Sequence, residues 1–112
     1  MALSNPDYSN LDYETVAKNI GLKSKHIPLL LSSYLEESGP IFAKLQSAIE
    51  TNDYETIRGA AHSLKGSSGN LRFNELYEMA KEMELAASDT NNSFEYAKYL
   101  EAISSAVATI KI

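Results

Sequence analysis

The sequence predicts an all-α fold, an antiparallel four-helix bundle with a short additional helix at the N-terminus. Apolar residues recur at helical spacing in four long stretches. The connections between these stretches are short, and short connections place consecutive helices side by side and antiparallel. No stretch alternates apolar and polar residues as a half-buried strand would.

The size and composition of the chain fit one domain. Its 112 residues are 44% hydrophobic and 22% charged, which is sufficient for a single core and leaves no room for a second. Residues 1–10 contain Ser, Asn, Pro and Asp without helical periodicity, so we expect a flexible N-terminal arm there. Residues 11–112 form the expected helical domain.

Charge and composition argue against several classes of function. The formal net charge is -5 and no run of Lys and Arg is present, which argues against nucleic-acid binding. No stretch approaches a membrane span and the N-terminus lacks a signal-peptide pattern, so we expect a soluble cytoplasmic protein without membrane contact. The absence of cysteine excludes a disulfide framework and a Cys-based zinc site.

Capping residues and prolines define the first two helices. Asp12 is expected to cap the short first helix, and Gly21 is expected to end it. Pro28 would lie in or near the first turn of the second helix, where its missing N–H costs least. The apolar residues keep helical phase across Gly39-Pro40. This favours one long helix kinked there, because a loop would usually reset the phase; a plain break at Gly39 is the alternative.

The remaining helices are separated by turn-forming residues. Asn52 is expected to cap the third helix, with Glu55 as its reciprocal partner in a capping box. The third helix should end near Arg72, and Asn74 should cap the fourth. Residues 88–93 are rich in Asn, Asp, Thr and Ser and are predicted to form the loop before the last helix.

The third helix contains glycines where helices usually avoid them. Each interior glycine costs roughly 1 kcal/mol of helix propensity relative to alanine. At about 100° per residue, one side of this helix carries His62 surrounded by glycines and cations. The positions within about 60° of the histidine are Glu55, Arg58, Gly59, Lys65, Gly66 and Gly69. The opposite side carries apolar residues such as Ile57, Ala60 and Leu64. We therefore expect His62 to face outward, on a strip cleared for the backbone of another protein.

The residue types on this strip suit phosphoryl chemistry. A neutral imidazole is a nucleophile near physiological pH, and Lys65 supplies a cation one turn away on the same side. The chain has no nucleotide-binding loop, Walker-type lysine or Asp-rich metal cluster. We therefore expect no ATP site and no cofactor of its own, with Mg²⁺ supplied by a partner.

Glu84 is expected to lie beside His62. If the hairpin turns around Arg72-Phe73, His62 lies ten or eleven residues before the turn and Glu84 about as far after it. Glu84 could then accept a hydrogen bond from His62 Nδ1 and leave Nε2 free to attack. A solvated glutamate in an acidic helix is the alternative.

The segment from His62 to Leu71, HSLKGSSGNL, resembles the signature of histidine-containing phosphotransfer (HPt) domains. These domains move phosphoryl groups between the aspartates of receiver domains in multistep phosphorelays. The resemblance therefore implies a stoichiometric phosphoryl carrier rather than a kinase or hydrolase. The resemblance implies that His62 accepts the phosphoryl group, that Lys65 helps to hold it, and that Gly66 keeps the surface open. Glu84 lies at a position that often carries a hydrogen-bonding side chain in this family.

The resemblance also implies partners. These are receiver domains of response regulators, with a hybrid sensor histidine kinase as a further candidate. The expected docking residues are Arg58, Gly59, Gly66, Gly69 and Arg72. Arg72 stands where many relatives have glycine, which affects the turn or adds positive charge beside the docking surface. We expect a monomer.

Two other classes of function remain open. A non-catalytic helical docking module would share the bundle, but it gives no reason for glycines around His62. A metal or haem bundle needs converging ligands, and the two histidines, His26 and His62, lie at distant and differently facing positions.

Overall fold

The computed structural model describes residues 2–112, and all regular structure in that range is helical. The five α-helices are α1 (Tyr13–Ile20), α2 (Ile27–Glu50), α3 (Tyr54–Asn70), α4 (Asn74–Ser88) and α5 (Tyr96–Ala108). One 3₁₀ turn (Ser24–His26) precedes α2. The all-α prediction is confirmed. In the described part of the chain, no helix is long and apolar enough to cross a membrane.

The first two helices follow the predicted signals. The Asp12 side chain accepts a hydrogen bond from the backbone N–H of Glu14, and Gly21 ends α1 with a φ of 75°. Helix α2 continues without interruption through Gly39 and Pro40, so the prediction of one long helix is confirmed and a break at Gly39 is excluded. Pro40 has no N–H to donate to the carbonyl four residues earlier in the helix. Gly39 and Pro40 are both exposed, so water can hydrogen-bond to that carbonyl instead.

The predicted cap of α3 is wrong by one residue. The cap is Asp53, whose carboxylate accepts hydrogen bonds from the backbone N–H and the hydroxyl of Thr56. Asn52 has a φ of 55° and belongs to the turn that ends α2, so it cannot cap the next helix. Asn74 likewise is the first residue of α4 rather than its cap.

Helices α1 to α4 end in the same kind of turn, with one left-handed residue. In each, the N–H after the left-handed residue donates to a carbonyl five residues earlier, as in a Schellman motif. The left-handed residues are Gly21, Asn52, Arg72 and Thr90. Only the first is glycine. The other three turns therefore carry the steric cost that a Cβ adds in this conformation.

The four longer helices share one core. Helix α3 packs most extensively against α4 and also against α2, while α5 packs against α2 and α4. Helix α1 contacts the 3₁₀ turn and α2. The largest fully buried apolar side chains are Ile27, Leu31, Leu45, Ile57, Leu64, Leu76, Met79, Met83 and Ile103. Each long helix contributes to this set, so the core fixes the positions of all four.

Residues 2–12, within and just after the predicted flexible arm, form no helix and contact the helical domain at several points. Tyr8 is buried, and its ring centroid is 4.6 Å from that of Phe73. The backbone N–H of Tyr8 donates to Thr109 Oγ1 at 2.8 Å, and that of Ala2 donates to Glu82 Oε1 at 2.8 Å. One buried aromatic residue in a polar segment makes no repeating apolar pattern. The sequence pattern therefore could not predict this packing. Met1 lies outside the described residues.

Candidate functional site

His62 lies on the outward face of α3, as predicted. Its side chain is 66% exposed. The opposite face of the helix is buried, with Ile57, Ala60 and Leu64 at 5% exposure or less. The burial of that face positions the histidine, because rotating α3 to bury His62 would expose its apolar stripe.

Glu84 of α4 reaches both His62 and Lys65. Its Oε2 lies 2.9 Å from His62 Nδ1, and its Oε1 lies 2.8 Å from Lys65 Nζ. The predicted contact between His62 and Glu84 is present. Gly69 and Tyr77, seven residues nearer the turn on each helix, also lie side by side, since a Cβ added at Gly69 would be 3.1 Å from Tyr77 Cδ2. The register counted from the hairpin was therefore right along this stretch.

The ion pair between Lys65 and Glu84 was not anticipated from the sequence. The Lys65 side chain is only 25% exposed, and the hydrogen bond to Glu84 is the main cause that raises the pKa of its ammonium group. A signal was available in the sequence. Long side chains on a helix lean toward its N-terminus, so Lys65 leans toward the level of His62, where Glu84 was already expected.

Glu84 remains a carboxylate in this setting. Burial tends to raise the pKa of Glu84, but the hydrogen bonds from Lys65 and then His62 outweigh it, and the pKa is lowered. An ionised carboxylate can only accept hydrogen bonds, so His62 Nδ1 must carry the hydrogen. In the neutral ring this leaves a lone pair on Nε2, on the side of the ring away from Glu84.

The three glycines of α3 differ in their surroundings. A Cβ added at Gly59 or Gly66 would have no heavy atom of residues 2–112 within 4 Å, apart from the helix backbone and adjoining residues. A Cβ added at Gly69 would lie 3.1 Å from Tyr77 Cδ2. This corrects the expectation that all three glycines leave open surface. Gly69 instead admits the ring of Tyr77 from α4.

The arginines assigned to docking lie at different distances from the histidine. Arg58 is exposed one turn before His62 on α3. Arg72 lies ten residues beyond His62, or about 15 Å along the helix axis. Its guanidinium donates to the Gly69 carbonyl at 2.9 Å. The structure therefore groups Lys65 and Glu84 around His62 and places Arg72 at the far end of α3.

An exposed apolar surface beside α3 was missed in the sequence. Leu22 and Leu29 are 47% and 71% exposed. Leu22 lines a groove between α1, α2 and the end of α3, whose other lining residues include Ile20, Leu30, Tyr34, Ser67 and Leu71. The signal was the run Leu29-Leu30-Leu31, since three consecutive helical positions cannot all face one core.

The described residues contain no group of three or more His, Cys, Asp or Glu side chains that could hold a metal ion. Around His62 the structure brings together one imidazole, one carboxylate and one ammonium group.

Comparison with known proteins identifies one family. The model of the Hpt domain matches residues 29–110, which is most of the chain and includes His62, Lys65 and Glu84. The corresponding comparisons with curated proteins and with solved structures give no match. The chain therefore belongs to the Hpt domain family, whose function is histidine-containing phosphotransfer in phosphorelays.

Proposed function

We propose that this protein is a phosphorelay carrier that accepts a phosphoryl group on His62 from a receiver aspartate and passes it to another. The observation that carries the proposal is the exposed His62 ring, with Nδ1 bound to Glu84 and Lys65 beside it. Family membership supports phosphotransfer through a histidine, and His62 is the histidine with this setting.

The transfer needs only one bond formed and one broken. The lone pair of His62 Nε2 attacks the phosphorus of an aspartyl phosphate and forms an N–P bond. The O–P bond of the aspartyl phosphate breaks, and its electron pair remains on the aspartate carboxylate. The Nδ1 hydrogen stays in its hydrogen bond to Glu84, so the phosphorylated ring is cationic. Reversal of the same step delivers the group to a second receiver.

Glu84 and Lys65 supply charge compensation. The Glu84 carboxylate stabilises the positive ring that forms during transfer and holds its orientation. The Lys65 ammonium compensates the negative phosphoryl oxygens. The receiver supplies Mg²⁺, so this chain needs no cofactor of its own.

We further propose that α2 to α5 form an antiparallel four-helix bundle. The short connections, the contacts of each long helix with two others, and the matched register of α3 and α4 support this arrangement. The bundle presents the stretch of α3 around His62 as a rigid surface.

The receiver would dock over the open part of α3. Gly59 and Gly66 allow its backbone to approach, and Arg58 favours an acidic phosphorylation pocket. The groove that includes Ser67 lies next to Gly66 and extends this surface with apolar contacts. One monomer would present one complete surface.

The test is transfer of labelled phosphoryl from a phosphorylated receiver with Mg²⁺. We expect acid-labile, base-stable label on the wild-type chain and none on His62→Gln. The matched control is His26→Gln, because His26 is also exposed and should be dispensable. Full labelling of His62→Gln would contradict the assignment. Receiver binding without any transfer would instead identify a docking module without chemistry.

A further inference from the structure

Lys65 already has a partner before any phosphoryl group arrives. Its Nζ lies 2.8 Å from Glu84 Oε1, while Oε2 of the same carboxylate binds His62 Nδ1 at 2.9 Å. Glu84 is only 16% exposed, so its two oxygens are largely taken up by these contacts. Before phosphorylation, the lysine proposed to compensate phosphoryl charge is therefore bound to Glu84.

Glu84 and a phosphoryl group on Nε2 would lie at opposite ends of the imidazole. Glu84 binds the ring at Nδ1, and Nε2 lies across the ring, on the side away from that carboxylate. A phosphoryl group on Nε2 would extend further in the same direction. The Lys65 ammonium is thus bound to the carboxylate on the Nδ1 side of the ring, and a phosphoryl group on Nε2 would offer it a second anionic partner.

We propose that Glu84 holds Lys65 while His62 is unphosphorylated, and that Lys65 moves its hydrogen bond from Glu84 Oε1 to the phosphoryl group once Nε2 is phosphorylated. This inference rests on the proposed function of His62. Glu84 would then position two side chains, His62 and Lys65. The hydrogen-bond partner of Lys65 would indicate whether His62 is phosphorylated.

Charge favours the exchange of partners. A phosphoryl group carries close to two negative charges and attracts an ammonium more strongly than one carboxylate does. Glu84 does not lose its compensation, because the phosphorylated ring that it still binds has become cationic. Each anion therefore has a cation in both states.

The path for this movement is open. The lysine stem is flexible, and Lys65 is one-quarter exposed rather than enclosed. Its neighbour Gly66 offers no side chain to obstruct the outward movement. The side chain can change partner by rotating its own bonds, with α3 and α4 unmoved.

The effect of removing Lys65 should depend on whether Glu84 is present. If Glu84 competes for Lys65, removing the lysine costs the phosphorylated state less in the wild type than in Glu84→Gln, where no carboxylate competes. If Glu84 instead steers Lys65 toward the phosphoryl group, the lysine matters less in Glu84→Gln. An exposed ion pair shifts an equilibrium by roughly 1.4-fold to fivefold, which sets the size of the difference.

The first experiment is a double-mutant cycle on the equilibrium of phosphoryl exchange with the receiver used in the transfer assay. We expect Lys65→Met to reduce the phosphorylated fraction about threefold in the wild-type background and about tenfold with Glu84→Gln. Methionine keeps the apolar stem of Lys65, and glutamine keeps an oxygen that can accept from His62 Nδ1. A smaller lysine effect in Glu84→Gln would overturn the inference.

The second experiment uses NMR to observe the Lys65 ammonium group before and after phosphorylation by phosphoramidate. This donor transfers its phosphoryl group to Nε2 as its own P–N bond breaks and ammonia leaves. We expect the scalar coupling across the hydrogen bond to the Glu84 carboxyl carbon to disappear on phosphorylation. If His62 is phosphorylated and the coupling persists, the inference fails and the carrier function stands. If neither phosphoramidate nor the receiver phosphorylates His62, both fail.

Discussion

Gly66 and Gly69 lie about one turn apart on α3 and fall on the same side of its helical wheel, yet their surroundings differ. Gly66 is in the open stretch beside His62, whereas Gly69 is pressed against the ring of Tyr77 at the hairpin end. Gly66 leaves room for a partner protein, and Gly69 leaves room for a side chain of α4. A helical wheel gives directions about one axis, but it cannot show which of those directions a neighbouring helix fills. Changes at the hairpin end should therefore affect stability, and changes near His62 should affect phosphotransfer.

The largest expected effect on stability is at the hairpin end. Gly69→Leu should lower the free energy of unfolding by about 1–3 kcal/mol, because the new side chain must displace the Tyr77 ring. Urea denaturation measures this, with Gly66→Leu as the matched control. The control should not be destabilised, since leucine has the higher helix propensity and meets no neighbour. Equal destabilisation at both positions would remove the distinction between the two ends.

The next effect is on binding. Gly66→Leu should weaken receiver affinity about tenfold, or about 1.4 kcal/mol, because the side chain projects into the proposed interface. Titration calorimetry with the receiver measures the affinity. Phosphoramidate should still label His62 in this variant, since that donor needs no docking surface. Unchanged receiver affinity would show that this stretch is not the docking surface.

Arg72 gives a second test of stability at the hairpin end. It has a φ of 60°, so Arg72→Gly should stabilise the protein by about 1 kcal/mol even though the bond to the Gly69 carbonyl is lost. Gly21→Ala is the matched control at another left-handed turn and should destabilise by a similar amount. Urea denaturation of both variants gives the signs. If Arg72→Gly also weakens receiver binding, the arginine contributes to docking despite its distance from His62.

The smallest expected effect is the pH dependence of the Glu84 contacts. Its pKa is lowered in the folded protein, so the stability it contributes is present above the unfolded pKa and is lost as pH falls through the folded pKa. Lys65→Met should raise the pKa of Glu84 and reduce stability at pH 7 only slightly, because an ion pair at the protein surface contributes little. The difference from the wild type should shrink in acid.

NMR titration of the Glu84 carboxyl carbon checks the pKa, and urea denaturation at neutral and acid pH checks the stability. An unchanged pKa of Glu84 in Lys65→Met would mean that the ion pair is not formed in solution.

Much of this fold could be predicted because local signals agreed with the tertiary structure. Asp12, Gly21 and the unbroken phase across Pro40 were sufficient for the first two helices. The cap at Asn52 failed because two adjacent residues can both cap a helix, and the choice depends on how the preceding helix ends. The packing of Tyr8 depends on side chains distant in sequence, to which no local period points.

The features of the site were likewise predictable only in part. His62 and its contact with Glu84 followed from the wheel and from counting around the hairpin. The ion pair of Lys65 with Glu84 and the contact of Gly69 with Tyr77 required the actual neighbours across α3 and α4. Both are relations between helices, which a pattern within one helix does not contain.

In the proposed carrier, His62 holds the phosphoryl group on Nε2 while Nδ1 stays bound to Glu84. Phosphorus and nitrogen NMR of the chain phosphorylated by its receiver tests this directly, because N–P coupling identifies the bonded ring nitrogen. We predict one phosphohistidine, at residue 62, with phosphorus on Nε2 and hydrogen on Nδ1. Phosphorus on Nδ1, or on any other residue, would contradict it.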